Sequence, residues 1–196
     1  MKKIFTIIGL ACLPLFSFSQ VFNTASILKP GQFSIGLEPV IIENNLGGFC
    51  QLGVGLTKGI DFALKGGLVE STGTPYLGAD LEWRLKGSKP SISLTTGAHR
   101  NEFGSFGLDA SLNFSFNVGR KVFPYFGIDS DINFDPDQVY YYDDTRYHRH
   151  TNVLLWFPVG VEIYLRKSVS FILEAEVPLT APTYYVIGAG FTFYLN

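Results

Sequence analysis

The sequence predicts an all-β fold: an antiparallel up-and-down transmembrane β-barrel of about ten strands, with eight or twelve as alternatives. Three observations predict it. Residues 106–117 put Phe106, Leu108, Ala110, Leu112, Phe114 and Phe116 in one row and Gly107, Asp109, Ser111, Asn113, Ser115 and Asn117 in the other. Side chains alternate faces along a strand, so this segment has one apolar and one polar face, which a helical period would smear. The same two-residue period recurs along the chain in segments of about ten residues, the length a tilted strand needs to cross a bilayer. The chain also opens with an export leader and carries no later apolar run long enough for a spanning helix.

In the leader, Lys2 and Lys3 precede the apolar run 4–16 and the small-x-small site Ser17-Phe18-Ser19. This reads as a secretory signal peptide over 1–19, cut before Gln20. Cys12 offers a lipoprotein alternative, but Gly9-Leu10-Ala11 departs from the usual lipobox. After cleavage Cys50 is the remaining cysteine, so no intrachain disulfide is expected. Acids exceed bases, 17 to 15, which excludes the basic surface that nucleic acid requires.

Residues 20–32 lack a period and read as a periplasmic lead-in to a barrel over 33–196. The first strand, about 33–42, sets Phe33, Ile35, Leu37 and Ile41 against Ser34, Gly36 and Glu38; Glu43-Asn44-Asn45 turns the chain. The second, about 49–57, sets Cys50, Leu52, Val54 and Leu56 against Gln51, Gly53, Gly55 and Thr57, and Lys58-Gly59 is a tight turn. The third, about 60–69, turns Ile60, Phe62, Leu64 and Leu68 outward and Asp61 and Lys65 inward. The fourth, about 75–85, sets Leu77, Ala79, Leu81, Trp83 and Leu85 against Tyr76, Gly78, Asp80, Glu82 and Arg84. The fifth, about 91–99, is marked by Ile92, Leu94 and Ala98, and the sixth is 106–117.

The seventh strand, about 122–134, turns Phe126, Ile128 and Ile132 out and Asp129, Asp131 and Asn133 in. Residues 135–150 form a long loop. The eighth strand, about 152–165, sets Val153, Leu155, Phe157, Val159, Val161, Ile163 and Leu165 against Trp156, Gly160, Glu162 and Tyr164. The ninth, about 169–177, turns Phe171, Leu173, Ala175 and Val177 out and Glu174 and Glu176 in. The tenth, about 184–195, sets Tyr185, Ile187, Ala189, Phe191, Phe193 and Leu195 against Gly188, Gly190, Thr192 and Tyr194.

An even strand count puts both termini on one side, expected to be periplasmic. The links on that side carry Lys58, Lys86, Lys89, Arg120, Lys121, Arg166 and Lys167 and no acid, whereas the opposite links hold most of the acidic turn residues. Basic turns suit anionic headgroups of outer-membrane lipid. Alternation alone leaves open a soluble, lipocalin-like periplasmic barrel with its apolar row inside. Charge and glycine concentrated in the polar row, and aromatics near the ends of the apolar row, favour the membrane arrangement.

The leader ending Ser17-Phe18-Ser19-Gln20, the repeated dyads and the last segment, 188–196 with Phe191, Phe193 and Leu195, resemble small porin-like outer-membrane β-barrel proteins of the kind common in Bacteroidota. The end segment is similar to the signal read by the barrel-assembly machinery, although it closes on Asn196 rather than an aromatic residue. The resemblance implies location in the cell outer membrane and insertion by that machinery; a larger outer-membrane complex is a further possible partner, since small barrels often work inside assemblies. It implies no particular activity.

Candidate chemistry lies in two places. The lumen row carries Glu38, Asp61, Asp80, Glu82, Asp109, Asp129, Asp131, Glu162, Glu174 and Glu176 against Lys65 and Arg84. This is either a polar filling, since narrow barrels are filled by side chains, or the wall of a cation-leaning pore. The loop 135–150 carries Tyr140, Tyr141, Tyr142 and Tyr147, suited to protein or glycan contact, and Asp143, Asp144, His148 and His150 as possible metal ligands. Omptin proteases are ten-stranded outer-membrane barrels that use an Asp pair and a His-Asp pair. Asp143, Asp144 and His148 resemble those ingredients, but here they share one loop. No Ser-His-Asp signature or phosphate loop is present, so the expectation is a non-enzymatic barrel without a cofactor, structural or accessory, presenting 135–150 outside.

Overall fold

The structure, a computed structural model, describes residues 24–70, 75–100, 105–134, 151–181 and 183–196. It contains ten strands: β1 (Phe33–Ile42), β2 (Asn45–Thr57), β3 (Ile60–Val69), β4 (Tyr76–Lys86), β5 (Ser91–Arg100), β6 (Phe106–Ser115), β7 (Val122–Phe134), β8 (Thr151–Arg166), β9 (Val169–Pro178) and β10 (Val186–Leu195). Each pairs antiparallel with its sequence neighbours. β1 also pairs with β10, from Phe33↔Leu195 to Ile42↔Val186, closing an up-and-down barrel. Closure pairs the backbone groups that an open edge would leave bare.

The apolar row faces outward. Leu37, Leu52, Leu68, Leu77, Leu108, Ile128, Val159, Leu173 and Phe191 are all exposed, while Glu38, Asp109, Asp129, Glu174 and Thr192 of the alternate row are buried. A soluble lipocalin-like barrel has the reverse arrangement, and an apolar belt of this extent is incompatible with a water-facing wall. That alternative is overturned.

Several strand ends differ from the sequence reading for local reasons. β2 starts at Asn45, not 49, because Leu46-Gly47-Gly48 shows no alternation yet pairs with Ile41, Val40 and Pro39. β10 starts at Val186, because the Tyr184 carbonyl accepts the Trp156 indole N–H (3.0 Å). β6 stops at Ser115, although Phe116 N–H still donates to Pro124 O (2.8 Å) and Val118 pairs with Val122 around Gly119.

Two internal features close the barrel. At the end holding the strand termini, the described part of the lead-in folds into the mouth: Ala25, Ile27 and Leu28 are buried. Ala25 N–H donates to Ser115 Oγ (2.9 Å), Leu28 N–H donates to Asp61 Oδ2 (3.0 Å), and Arg84 Nη2 donates to Ile27 O (3.2 Å). Gly55 makes room for it, since a Cβ there would strike the Lys29 carbonyl. Gly31 N–H donates to Gly55 O (2.8 Å), and Gly55 N–H donates to Gln32 O (2.9 Å). The lead-in is therefore part of the barrel interior, not a simple tether. At the other end Val40, Ile42, Phe49, Val69, Tyr76 and Val186 form an inward apolar cluster. Leader residues 1–19 lie outside the described residues.

Candidate functional site in the barrel lumen

Inward alternation brings the charged residues of β3 to β7 together. Lys65 Nζ on β3 lies 2.7 Å from Asp80 Oδ2 on β4, both nearly inaccessible to solvent. The Lys65 charge also acts on Asp109 and Asp129. Between Asp80 and Asp109 runs Gly97 on β5, where any Cβ would strike Asp80 Oδ1 and Asp109 Oδ1. A side chain at that position would push the two carboxylates apart, so glycine sets how closely they approach.

His99, on the same inward row of β5, extends over Gly107. Its Nδ1 lies 2.9 Å from Asp109 Oδ2 and its Nε2 lies 3.1 Å from Asn133 Oδ1. Tyr76 stacks on the imidazole, with ring centroids 5.5 Å apart and an interplanar angle of 23°. One ligand atom each from His99, Asp109 and Asp131 lies within 4.8 Å of the other two, and all three residues are buried.

A second acidic group lines β1, β8 and β9. Tyr125 donates its hydroxyl to Glu174 Oε2 and Tyr194 to Glu162 Oε1, each at 2.6 Å, the short distance of a charge-assisted bond. Tyr164 stacks on Tyr194, with centroids 5.8 Å apart. Glu38 is buried over Gly188, and neither of its carboxyl oxygens has a hydrogen-bond partner among the described residues. Glu176 is also buried. Nearer the mouth, Asp61 and Glu82 border a cavity of about 40 Å³ between the lead-in and the walls of β1 to β4, β9 and β10. That space holds on the order of two or three waters.

Eleven of the twelve lumen charges read from the sequence thus point inward. Arg84, the twelfth, sits exposed at the rim of the same row, where Nη1 donates to Lys58 O (3.1 Å) and Nη2 donates to Ile27 O of the lead-in (3.2 Å). Sequence reading put Tyr76 and Asn133 on the inward row but gave His99 no face, and it missed the contacts that join the three. Alternation carried the signal, because counting inward from Ala98 places His99 on the lumen face. It also missed the apolar end cluster, whose residues break the polar row. Tyr140, Tyr141, Tyr142, Asp143, Asp144, Tyr147, His148 and His150 lie outside the described residues, so the structure does not place them.

No protein-family model matches the chain, and no curated protein matches it. Solved structures do. The NanC porin structure superposes with a TM-score of 0.54 at 7% identity, over 83% of this chain and 100% of that one. A de novo designed transmembrane β-barrel superposes with a TM-score of 0.44 at 9% identity, over 87% and 100%. The N-terminal β-barrel domain of Pseudomonas aeruginosa OprF superposes with a TM-score of 0.36 at 16% identity, over 86% and 100%. The NanC likeness is one of fold: this chain is a closed ten-stranded all-β barrel with the up-and-down architecture of porin-like transmembrane barrels.

Proposed function

We propose that the protein is a non-conducting, non-enzymatic barrel of the outer membrane, a structural or accessory subunit that presents residues 135–150 to the exterior. The observation that carries this reading is the filled lumen. Trp156, Tyr125, Glu38, Glu162, Asp129 and Asp131 are fully buried inside the wall, the lead-in occupies one mouth and the apolar cluster the other. A pore needs a continuous hydrated path, and side chains fill the interior of a barrel this narrow. The exposed apolar belt supports bilayer insertion, because only lipid solvates such a surface favourably. The leader 1–19 supports export, and the alternating end of β10 supports recognition by the barrel-assembly machinery.

Loop presentation has its own support. β7 and β8 are among the longest strands, with 13 and 16 residues, and Thr151–Leu155 run past the last β8 pairing with β9, Trp156↔Pro178. The hairpin that carries 135–150 therefore overhangs its neighbour, and the tyrosines of that loop suit a protein or glycan partner within a larger outer-membrane complex. The test is planar-bilayer recording of the purified mature protein. The expected result is an absence of conductance steps. Cation-selective steps would replace this reading with the narrow pore.

A further inference from the structure

The outer wall is notched where β1 begins. β2 runs on to Thr57 past its last pairing with β1, Phe33↔Val54, and turns there into β3. β1 offers nothing beside that overhang, because the chain before Phe33 turns into the mouth. Gln32 N–H donates to Lys29 O (2.9 Å), and the Lys29 carbonyl lies over Gly55. An open apolar groove of about 350 Å³ runs up the outer face from this notch, walled by Phe33, Ile35, Leu52, Val54, Phe62 and Leu195. Exposed bases stand at its lower end. Lys29 lies in the turn at the notch and Lys58 at the tip of the β2–β3 hairpin beside it. Lys167, at the tip of β8–β9, flanks the other side, where Tyr194 N–H donates to Ser168 O (2.9 Å) next to Leu195. The four links at this end hold no acid to neutralise them. Leu56 and Leu165, on the strand ends that lead to Lys58 and Lys167, are exposed, which keeps these bases at the edge of the apolar belt.

We propose that this groove holds one anionic phospholipid, with an acyl chain against Phe33, Leu52 and Phe62 and the headgroup beside Lys29 and Lys58. The proposal rests on the bilayer insertion argued above and adds a selective site to it. Charge and shape together choose the occupant. An apolar groove that ends in bases matches a ligand joining a hydrocarbon chain to an anion. Lysine suits the position, because its long stem packs on the belt while the ammonium reaches the headgroup level. Zwitterionic lipid fills the same groove but brings the bases no net counter-charge. Closure of β1 onto β10 leaves no free strand edge here for a partner chain to extend.

The test is quenching of tryptophan fluorescence by brominated lipid in phosphatidylcholine vesicles. Trp83, which pairs with Ile60 beside the Lys58 turn, reports lipid near the groove, and the fully buried Trp156 is the unquenched reference. Brominated phosphatidylglycerol should bind at least about fivefold more strongly than brominated phosphatidylcholine, since each base near the surface is worth about that factor. The variant K29Q/K58Q should bring the ratio to about one. R120Q/K121Q, which removes the same charge from the β6–β7 link, should leave it unchanged. An equal fall in both variants would overturn the site and assign the preference to the basic rim as a whole. A ratio near one in the wild type would overturn it with insertion intact, leaving the groove to unselected lipid or a protein partner. Absence of quenching by either lipid would remove insertion and the site together.

Discussion

Replacing Lys65 with Met removes the ammonium that faces Asp80, Asp109 and Asp129 and leaves the lumen shape nearly unchanged, since the two side chains have similar volumes. At 2.7 Å the Lys65–Asp80 attraction alone is about 6 kcal/mol at an effective dielectric constant of about 20. Release of the ammonium from its desolvated position returns part of this, and breaking one side of a buried pair costs about 3–5 kcal/mol overall. Urea unfolding of the barrel in lipid vesicles, followed by the fluorescence of Trp83 and the fully buried Trp156, should show that loss in K65M. The double variant K65M/D80N should recover part of it, because one uncompensated carboxylate is gone. It should stay below wild type, because Asp109 and Asp129 also lie in the Lys65 field. A K65M barrel within about 1 kcal/mol of wild type would refute the reasoning, because the carboxylates would then be neutralised by something other than Lys65.

Three further outcomes are expected. Ile128→Arg, at the middle of β7 on the outer face, should cost about 2–4 kcal/mol in vesicles and Phe33→Arg, at the rim, about 0–1 kcal/mol; equal costs would contradict the lipid-facing belt. Gly55→Ala should expel the lead-in and forfeit the two hydrogen bonds between Gly55 and residues 31 and 32, about 2 kcal/mol. Protease should then cut within 24–31 of the otherwise folded barrel, and continued protection would show that the lead-in tolerates a side chain there. Phe49→Ala should cost about 3–5 kcal/mol, because Phe49 is buried in the end cluster and meets Tyr76 edge to face at 5.7 Å. A small change in unfolding midpoint would mean that the cluster relaxes around the gap.

Where sequence reading faltered, the cause was a residue that carries no periodic signal. Gly47 and Gly48 have no side chain to alternate, so the first turn of β2 was invisible even though its backbone pairs with β1. Val40, Ile42, Val69 and Val186 are apolar on the inward row, where a two-colour pattern expects polarity, because they close the barrel end instead of lining a wet interior. The lead-in shows no period because its residues are held one by one, through Ser115, Asp61, Arg84 and Gly55, and not by a ladder.

The sequence by itself determined where the alternating strands run and which residues share a row, because a period of two is a local property of an extended chain. Phe106 through Ser115 displays it in full, and the same rule assigns Lys65, Asp80, His99 and Asp131 to the lumen. Only the tertiary structure decided which of these inward residues meet. His99 reaches Asn133 across Gly107, Lys65 reaches Asp80, Trp156 reaches the carbonyl of Tyr184, and the lead-in folds back under β2. Those contacts depend on register, strand tilt and closure of β1 onto β10, which bring distant positions to one level of the barrel and leave no trace in any local pattern.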